Sequence, residues 1–211
     1  MQQYKLIGTA LCTCVLALWG SHASGEEFSG RLSGFQELGA LNNQTGAVLS
    51  NGTGTVELDL DRSAQMIHYK LIYSDVGTTQ PQTGMVSQAH IHFGKARDSG
   101  GVMVFFCTNL GNAPAGTQAC PKNSTGPKGL TGTFTGSSVV AIPGQNVVAG
   151  NFNALVAAIT SNTAYANIHT VPVPPATNTA FPAGEIRGQI HRGDLDEKHD
   201  NHDDHDNHEH Q

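Results

Sequence analysis

Gln65-Met-Ile-His-Tyr-Lys-Leu-Ile-Tyr-Ser-Asp75 is the stretch that decides the fold. Its side chains alternate: Ile67, Tyr69, Leu71 and Tyr73 fall on one side, with His68, Lys70 and Ser74 on the other. A strand sends successive side chains to opposite faces, so this pattern marks a β-strand with one buried face. Similar runs recur at Phe28–Gln36, Gly54–Asp61, Val86–Gly94, Val102–Thr108, Leu130–Val140, Ala164–Thr170 and Glu185–His191. Gly, Asn, Pro and Ser clusters separate them, as turns require. Only Asn151–Thr160, with Phe152, Leu155, Val156 and Ile159 at helical spacing, reads as a helix. Many short strands and at most one short helix predict an all-β fold, an antiparallel sandwich or barrel. Thr78–Gly84, Asn109–Lys128 and Val171–Pro182 read as long loops.

The two ends differ from this body. Residues 1–25 read as an export signal: Lys5 precedes an apolar run from Leu6 to Trp19, followed by the small residues Ser21, Ala23, Ser24 and Gly25. That run is short for a transmembrane span, and no later segment is long and apolar enough to cross a membrane. The expected location is therefore secreted or periplasmic. Without the signal, Cys107 and Cys120 are the remaining cysteines, an even pair in an oxidising compartment, and they are expected to join.

Charge divides the chain in the same way. Residues 26–192 carry nine basic and nine acidic groups, whereas residues 193–211 carry eight acidic groups, one lysine and five histidines. The tail is too polar to bury a core and is expected to be disordered. Within it His199, His202, His205 and His208 recur every third residue and His210 follows, an array suited to divalent metals or simply a solvated acidic tail. A neutral body and an acidic tail argue against nucleic acid as a partner. Three Asn-x-Thr sequons, at Asn43, Asn51 and Asn123, matter only in a eukaryotic secretory pathway.

The chemical lead lies in Ala89-His90-Ile91-His92, where the two histidines share one face of a strand. Asn167-Ile168-His169-Thr170 places a third histidine on another strand, beside Asn167. Glu185 and Arg187 alternate with Ile186 on a further one. If these strands are neighbours, His90, His92, His169, Glu185 and Arg187 converge on one polar surface. Three neutral imidazoles with an open position suit copper or zinc. The alternative is an ordinary network in which the histidines bond backbone groups or Glu185, and Glu185 bonds Arg187.

These blocks carry a family resemblance. Phe28-Ser-Gly-Arg-Leu-Ser-Gly-Phe-Gln-Glu37, Gly54-Thr-Val-Glu-Leu-Asp59, the His-x-His strand, Tyr165-Ala-Asn-Ile-His-Thr170 and Gly184-Glu-Ile-Arg-Gly-Gln-Ile190 together resemble the CHRD domain. That module was first described as a repeat in chordin and also occurs singly in secreted bacterial proteins. The resemblance spans most of residues 28–191 and implies an immunoglobulin-like, all-β extracellular domain occupying residues 26–192. In chordin it implies growth-factor binding, but no von Willebrand-type cysteine-rich module accompanies it here, so chordin's partners are not carried over. The stretch 109–128 is longer than the usual pattern. The expected function is a non-enzymatic binding module for an extracellular protein or surface partner, with a transition metal on its histidines. The alternative, a copper-dependent redox enzyme resembling superoxide dismutase, shares the His-x-His strand and one disulfide but lacks that family's dense His/Asp zinc loop.

Overall fold

A computed structural model describes residues 25–38, 46–78, 84–123, 129–173 and 180–193. Residues 1–24 of the expected export signal and residues 194–211 of the tail, with His199, His202, His205, His208 and His210, lie outside the described residues.

The strands are β1 (Glu26–Ser33), β2 (Thr53–Asp61), β3 (Met66–Ser74), β4 (Gly84–Phe93), β5 (Gly101–Thr108), β6 (Leu130–Phe134), β7 (Ala164–Pro172), β8 (Ile186–Gln189) and β9 (His191–Arg192). They form one nine-stranded sheet in the order β5-β4-β7-β8-β1-β2-β3-β6, with β9 pairing β1. Every pairing is antiparallel. Of the sandwich and barrel expected, the sheet takes the barrel's form: it curls until its two edges, β5 and β6, nearly meet.

β2 and β3 show how sequence sets register. The Asp61 carboxylate accepts from Ser63 Oγ (2.6 Å) and Ala64 N (2.9 Å), fixing the tight turn between them. The register that follows sets Val56 opposite Leu71, Leu58 opposite Tyr69 and Leu60 opposite Ile67. All six are buried in the core, while His68 on the other face is exposed. A slip of one residue would send this whole set to solvent.

Where β1 meets β8 the backbones approach too closely for side chains. A Cβ on Gly188 would strike the Arg31 carbonyl, and one on Gly30 would strike the Gln189 carbonyl. The glycines of both blocks are therefore packing requirements of one strand junction.

α1 (Phe152–Thr160) starts at Asn151, whose side chain accepts from Ala154 N at 3.1 Å. It buries Phe152, Leu155, Val156 and Ile159 in the core, as their spacing predicts.

Three strand ends depart from the alternation. The run from Leu130 stops at Phe134, and a short 3-10 turn at Gly136–Ser138 replaces the expected continuation to Val140. The run from Phe28 likewise gives way to a 3-10 turn at Gly34–Gln36. The last run divides at Ile190, so that β8 lies between β7 and β1 whereas β9 pairs β1 alone.

The β5–β6 seam is closed by side chains and by the segment after β5. Tyr69 stacks on Phe134 at 4.4 Å and meets Phe106 edge-on at 5.1 Å, and its hydroxyl donates to the Phe106 carbonyl (3.2 Å). Gln118 spans the gap: its carbonyl accepts from Thr108 N of β5 (3.0 Å) and its amide donates to the Thr131 carbonyl of β6 (3.1 Å). The expected disulfide, Cys107–Cys120, holds this segment against β5.

Candidate metal centre

β4 is buried on both faces. Ala89 and Ile91 enter the core, and His90 and His92 project to the opposite face. Register shifts between Ala89 and His90, and between Ile91 and His92, break the β4–β5 ladder at these residues. Such irregularities re-aim side chains. On the other flank β7 pairs regularly, setting Asn167 opposite His90 and Tyr165 opposite His92. The same register sets His169 opposite Gln88, and the ladder shifts only beyond it, between Val86 and Gln88.

The three histidines meet. One ligand nitrogen from each of His90, His92 and His169 lies within 4.8 Å of the others, and the residues are 2, 8 and 6 % exposed. His92 Nδ1 lies 2.9 Å from the Gly100 carbonyl, and His169 Nδ1 lies 3.0 Å from the Pro182 carbonyl. A carbonyl only accepts, so both rings carry their proton on Nδ1 and leave a lone pair on Nε2. His90 Nδ1 sits 3.2 Å from His169 Nε2 and must therefore donate to it. The result is three Nδ1–H tautomers in which His90 Nε2 and His92 Nε2 are buried and, among the described residues, have no hydrogen-bond partner. Buried lone pairs of this kind carry a desolvation cost unless something fills them.

Aromatic rings wall the cluster. Phe105 meets His90 edge-on at 4.4 Å, and Tyr165 stacks on His92 at 4.8 Å with planes 5° apart. The Arg187 guanidinium lies 3.4 Å from the centre of the Tyr165 ring and donates to the Lys95 (3.0 Å) and Asp98 (2.9 Å) carbonyls.

Burial keeps these rings neutral. It lowers His90 to about 2, helped by His169 and His92. It lowers His92 to about 4 against the pull of the Gly100 carbonyl, and lowers His169 against that of Pro182. Glu37 moves the other way: desolvation raises it to about 7 although Asn167 donates to it and Arg187 attracts it.

An acid response follows. Below the ordinary histidine value near 6.5 the unfolded chain protonates three imidazoles that the folded chain keeps neutral, so these sites lower stability as pH falls. Glu37 opposes them, since between about 4.5 and 7 the folded chain holds its proton and the unfolded chain does not. His90 and His92, net of Glu37, take up about one proton on unfolding near pH 5.5, and His169 adds in the same direction, so stability is expected to drop by roughly 1 kcal/mol or more per pH unit there. Urea midpoints of metal-free protein at pH 7 and pH 5 measure this; equal midpoints would contradict it.

The remaining residues expected on this surface separate into two groups. Asn167 and Arg187 lie beside the histidines, buried rather than at the surface. Glu185 does not join them, and the ordinary surface network expected between Glu185 and Arg187 is replaced by separate partners for each. Gly184, at φ +134°, breaks the alternation just before β8 and turns the Glu185 side chain elsewhere. Its carboxylate, fully buried, accepts from Ser50 Oγ (2.8 Å), Thr170 Oγ1 (3.0 Å) and Gly77 N (2.9 and 3.0 Å). A Cβ on Gly184 would come within 2.7 Å of Glu37 Oε1 and 2.8 Å of the Asn167 amide.

Tyr165 shares a face with Asn167 and His169, as alternation along β7 predicts, whereas Glu37 and Phe105 join this layer with no signal in the sequence. The same holds for the Gly100 and Pro182 carbonyls, whose contribution leaves no mark on side-chain type. Among the described residues no helix is long and apolar enough to cross a membrane. No curated protein and no solved structure matches the chain. The CHRD domain matches residues 28–190, a span that contains every strand of the histidine layer. The chain thus belongs to the CHRD domain family.

Proposed function

We propose that this protein is a secreted or periplasmic binding module that holds one transition-metal ion, copper or zinc, on His90, His92 and His169. The observation that carries the reading is the buried trio itself: one ligand nitrogen from each of His90, His92 and His169 lies within 4.8 Å of the others, and among the described residues the Nε2 atoms of His90 and His92 have no hydrogen-bond partner. The Gly100 and Pro182 carbonyls act as the outer shell, orienting His92 and His169 for coordination. Glu185 belongs to the scaffold in this reading. Residues 1–25 serve as a cleaved signal and residues 193–211 as a chelating arm, which gathers divalent ions weakly. The immunoglobulin-like likeness and a protein or surface partner rest on the family alone.

Elemental analysis of protein expressed without an affinity tag tests the site. One tightly held ion per chain is expected, with affinity falling about a hundredfold in His92→Ala or His169→Ala, equivalent to ~2.7 kcal/mol. Removing residues 193–211 should abolish the weak ions and leave the tight one. Protein that takes up no stoichiometric copper or zinc at micromolar concentrations would defeat the reading. A superoxide dismutation assay on copper-loaded protein separates it from the enzymatic alternative.

A further inference from the structure

We propose that the ion this centre favours is Cu(I), held by the three imidazoles alone, in preference to Zn(II) or Cu(II). The inference rests on the metal-binding reading above and concerns which ion the site selects.

The donor set is neutral throughout. Among the described residues the cluster contains His90, His92 and His169, with no carboxylate or thiolate joining them. An ion bound there keeps its full charge in a buried setting. The cost of burying an ion grows with the square of its charge, so a dication costs about four times what a monocation does. The surroundings add to this difference. Arg187 places a permanent positive charge 3.4 Å from the Tyr165 ring, whose plane stacks on His92. The two buried carboxylates of the neighbouring loops are engaged elsewhere: Glu185 by Ser50, Gly77 and Thr170, and Glu37 by Asn167.

Coordination number points the same way. Zn(II) completes a tetrahedron with a fourth ligand, and Cu(II) prefers a tetragonal set with at least four. The free lone pairs here face a layer closed from solvent and walled by Phe105 and Tyr165. A monovalent d10 ion is satisfied by three nitrogens and needs no water.

The test uses the full chain with His199, His202, His205, His208 and His210 replaced by asparagine, so that the tail does not compete. Cu(I), supplied anaerobically as its bicinchoninate complex, Cu(II) and Zn(II) are each titrated against a chelator of known affinity. Ring 15N spectra of the histidines identify the ligands in the same protein, independently of whether any ligand variant folds. The expected result is a one-to-one Cu(I) complex that shifts a ring nitrogen resonance of each of His90, His92 and His169 and is at least tenfold tighter than either divalent complex. A divalent ion bound at these rings within tenfold of Cu(I), or tighter, overturns the choice of ion and leaves the metal centre standing. Rings that respond to none of the three ions overturn both.

Discussion

Glu185→Ala is expected to lower the unfolding free energy by roughly 3–5 kcal/mol, the range for removing one partner of a buried charged network. The carboxylate is the common acceptor for the loop before β2 (Ser50), the turn after β3 (Gly77) and β7 (Thr170). Its removal strands the Gly77 N–H with no acceptor, and a buried unpaired donor costs about 1–3 kcal/mol by itself. The damage extends one bond further, because Thr170 Oγ1 accepts from Phe181 N while donating to Glu185. That link positions the 180–184 segment, and Pro182 in it supplies the carbonyl that orients His169. Glu185→Gln retains an oxygen for Gly77, and the hydroxyls of Ser50 and Thr170 can rotate to accept from its amide, so it is expected to lose only about 1 kcal/mol. Urea denaturation of the two variants beside the parent measures the contrast. Equal losses in both would show that charge matters more than acceptor count, and no loss in the alanine variant would contradict the network.

Cys107→Ser with Cys120→Ser is expected to lower stability by about 3 kcal/mol, the loop-entropy value for a bridge spanning this sequence separation of 13. Cys107 lies fully within the core and Cys120 is nearly buried, so the serines also place hydroxyls where sulfurs packed. The bridge additionally holds the segment carrying Gln118. Asn109 fastens the same segment by accepting from Cys120 N (3.0 Å) and donating to the Cys120 carbonyl (3.1 Å). These bonds survive reduction, so the loss should lie near the entropic figure and not greatly above it. Thermal melts with and without reductant, and of the double variant, check the size of the effect. A shift indistinguishable from zero would mean that the hydrogen bonds alone suffice to order residues 109–123.

The strands were legible because alternation is a direct consequence of strand geometry: β3 buries the four residues that its sequence assigns to one face. The helix was legible for the same reason at a different period. Where the sequence misled, a local conformation interrupted the period, as at Gly184 before β8 and at the 3-10 turn after Phe134. The histidine trio was partly legible. His90 and His92 share a face by spacing alone, but their meeting with His169 depends on β4 and β7 being neighbours, which alternation does not encode. The burial of the trio was not legible at all. Polar residues on one face of a strand ordinarily meet water, and here Gly100 and Pro182 in the connecting segments lie against that face. Backbone carbonyls have no sequence signature, so the atoms that fix the tautomers could not be anticipated.

The seam between β5 and β6 also bears on how molecules of this protein behave toward one another. A sheet border presents a row of unpaired amides and carbonyls that will accept a strand from any neighbour. In this chain the two borders face each other across Tyr69, Phe106 and Phe134, and Gln118 occupies bonding positions on both. One bonding position on each is thereby withdrawn from any neighbour. The Cys107–Cys120 crosslink adds to the Asn109 bonds that hold Gln118 there, so oxidation does more than stiffen a loop: it helps keep an adhesive rim covered. Chains that fold before this crosslink forms rely on the Asn109 bonds alone, and for them the hazard to watch is self-assembly into aggregates.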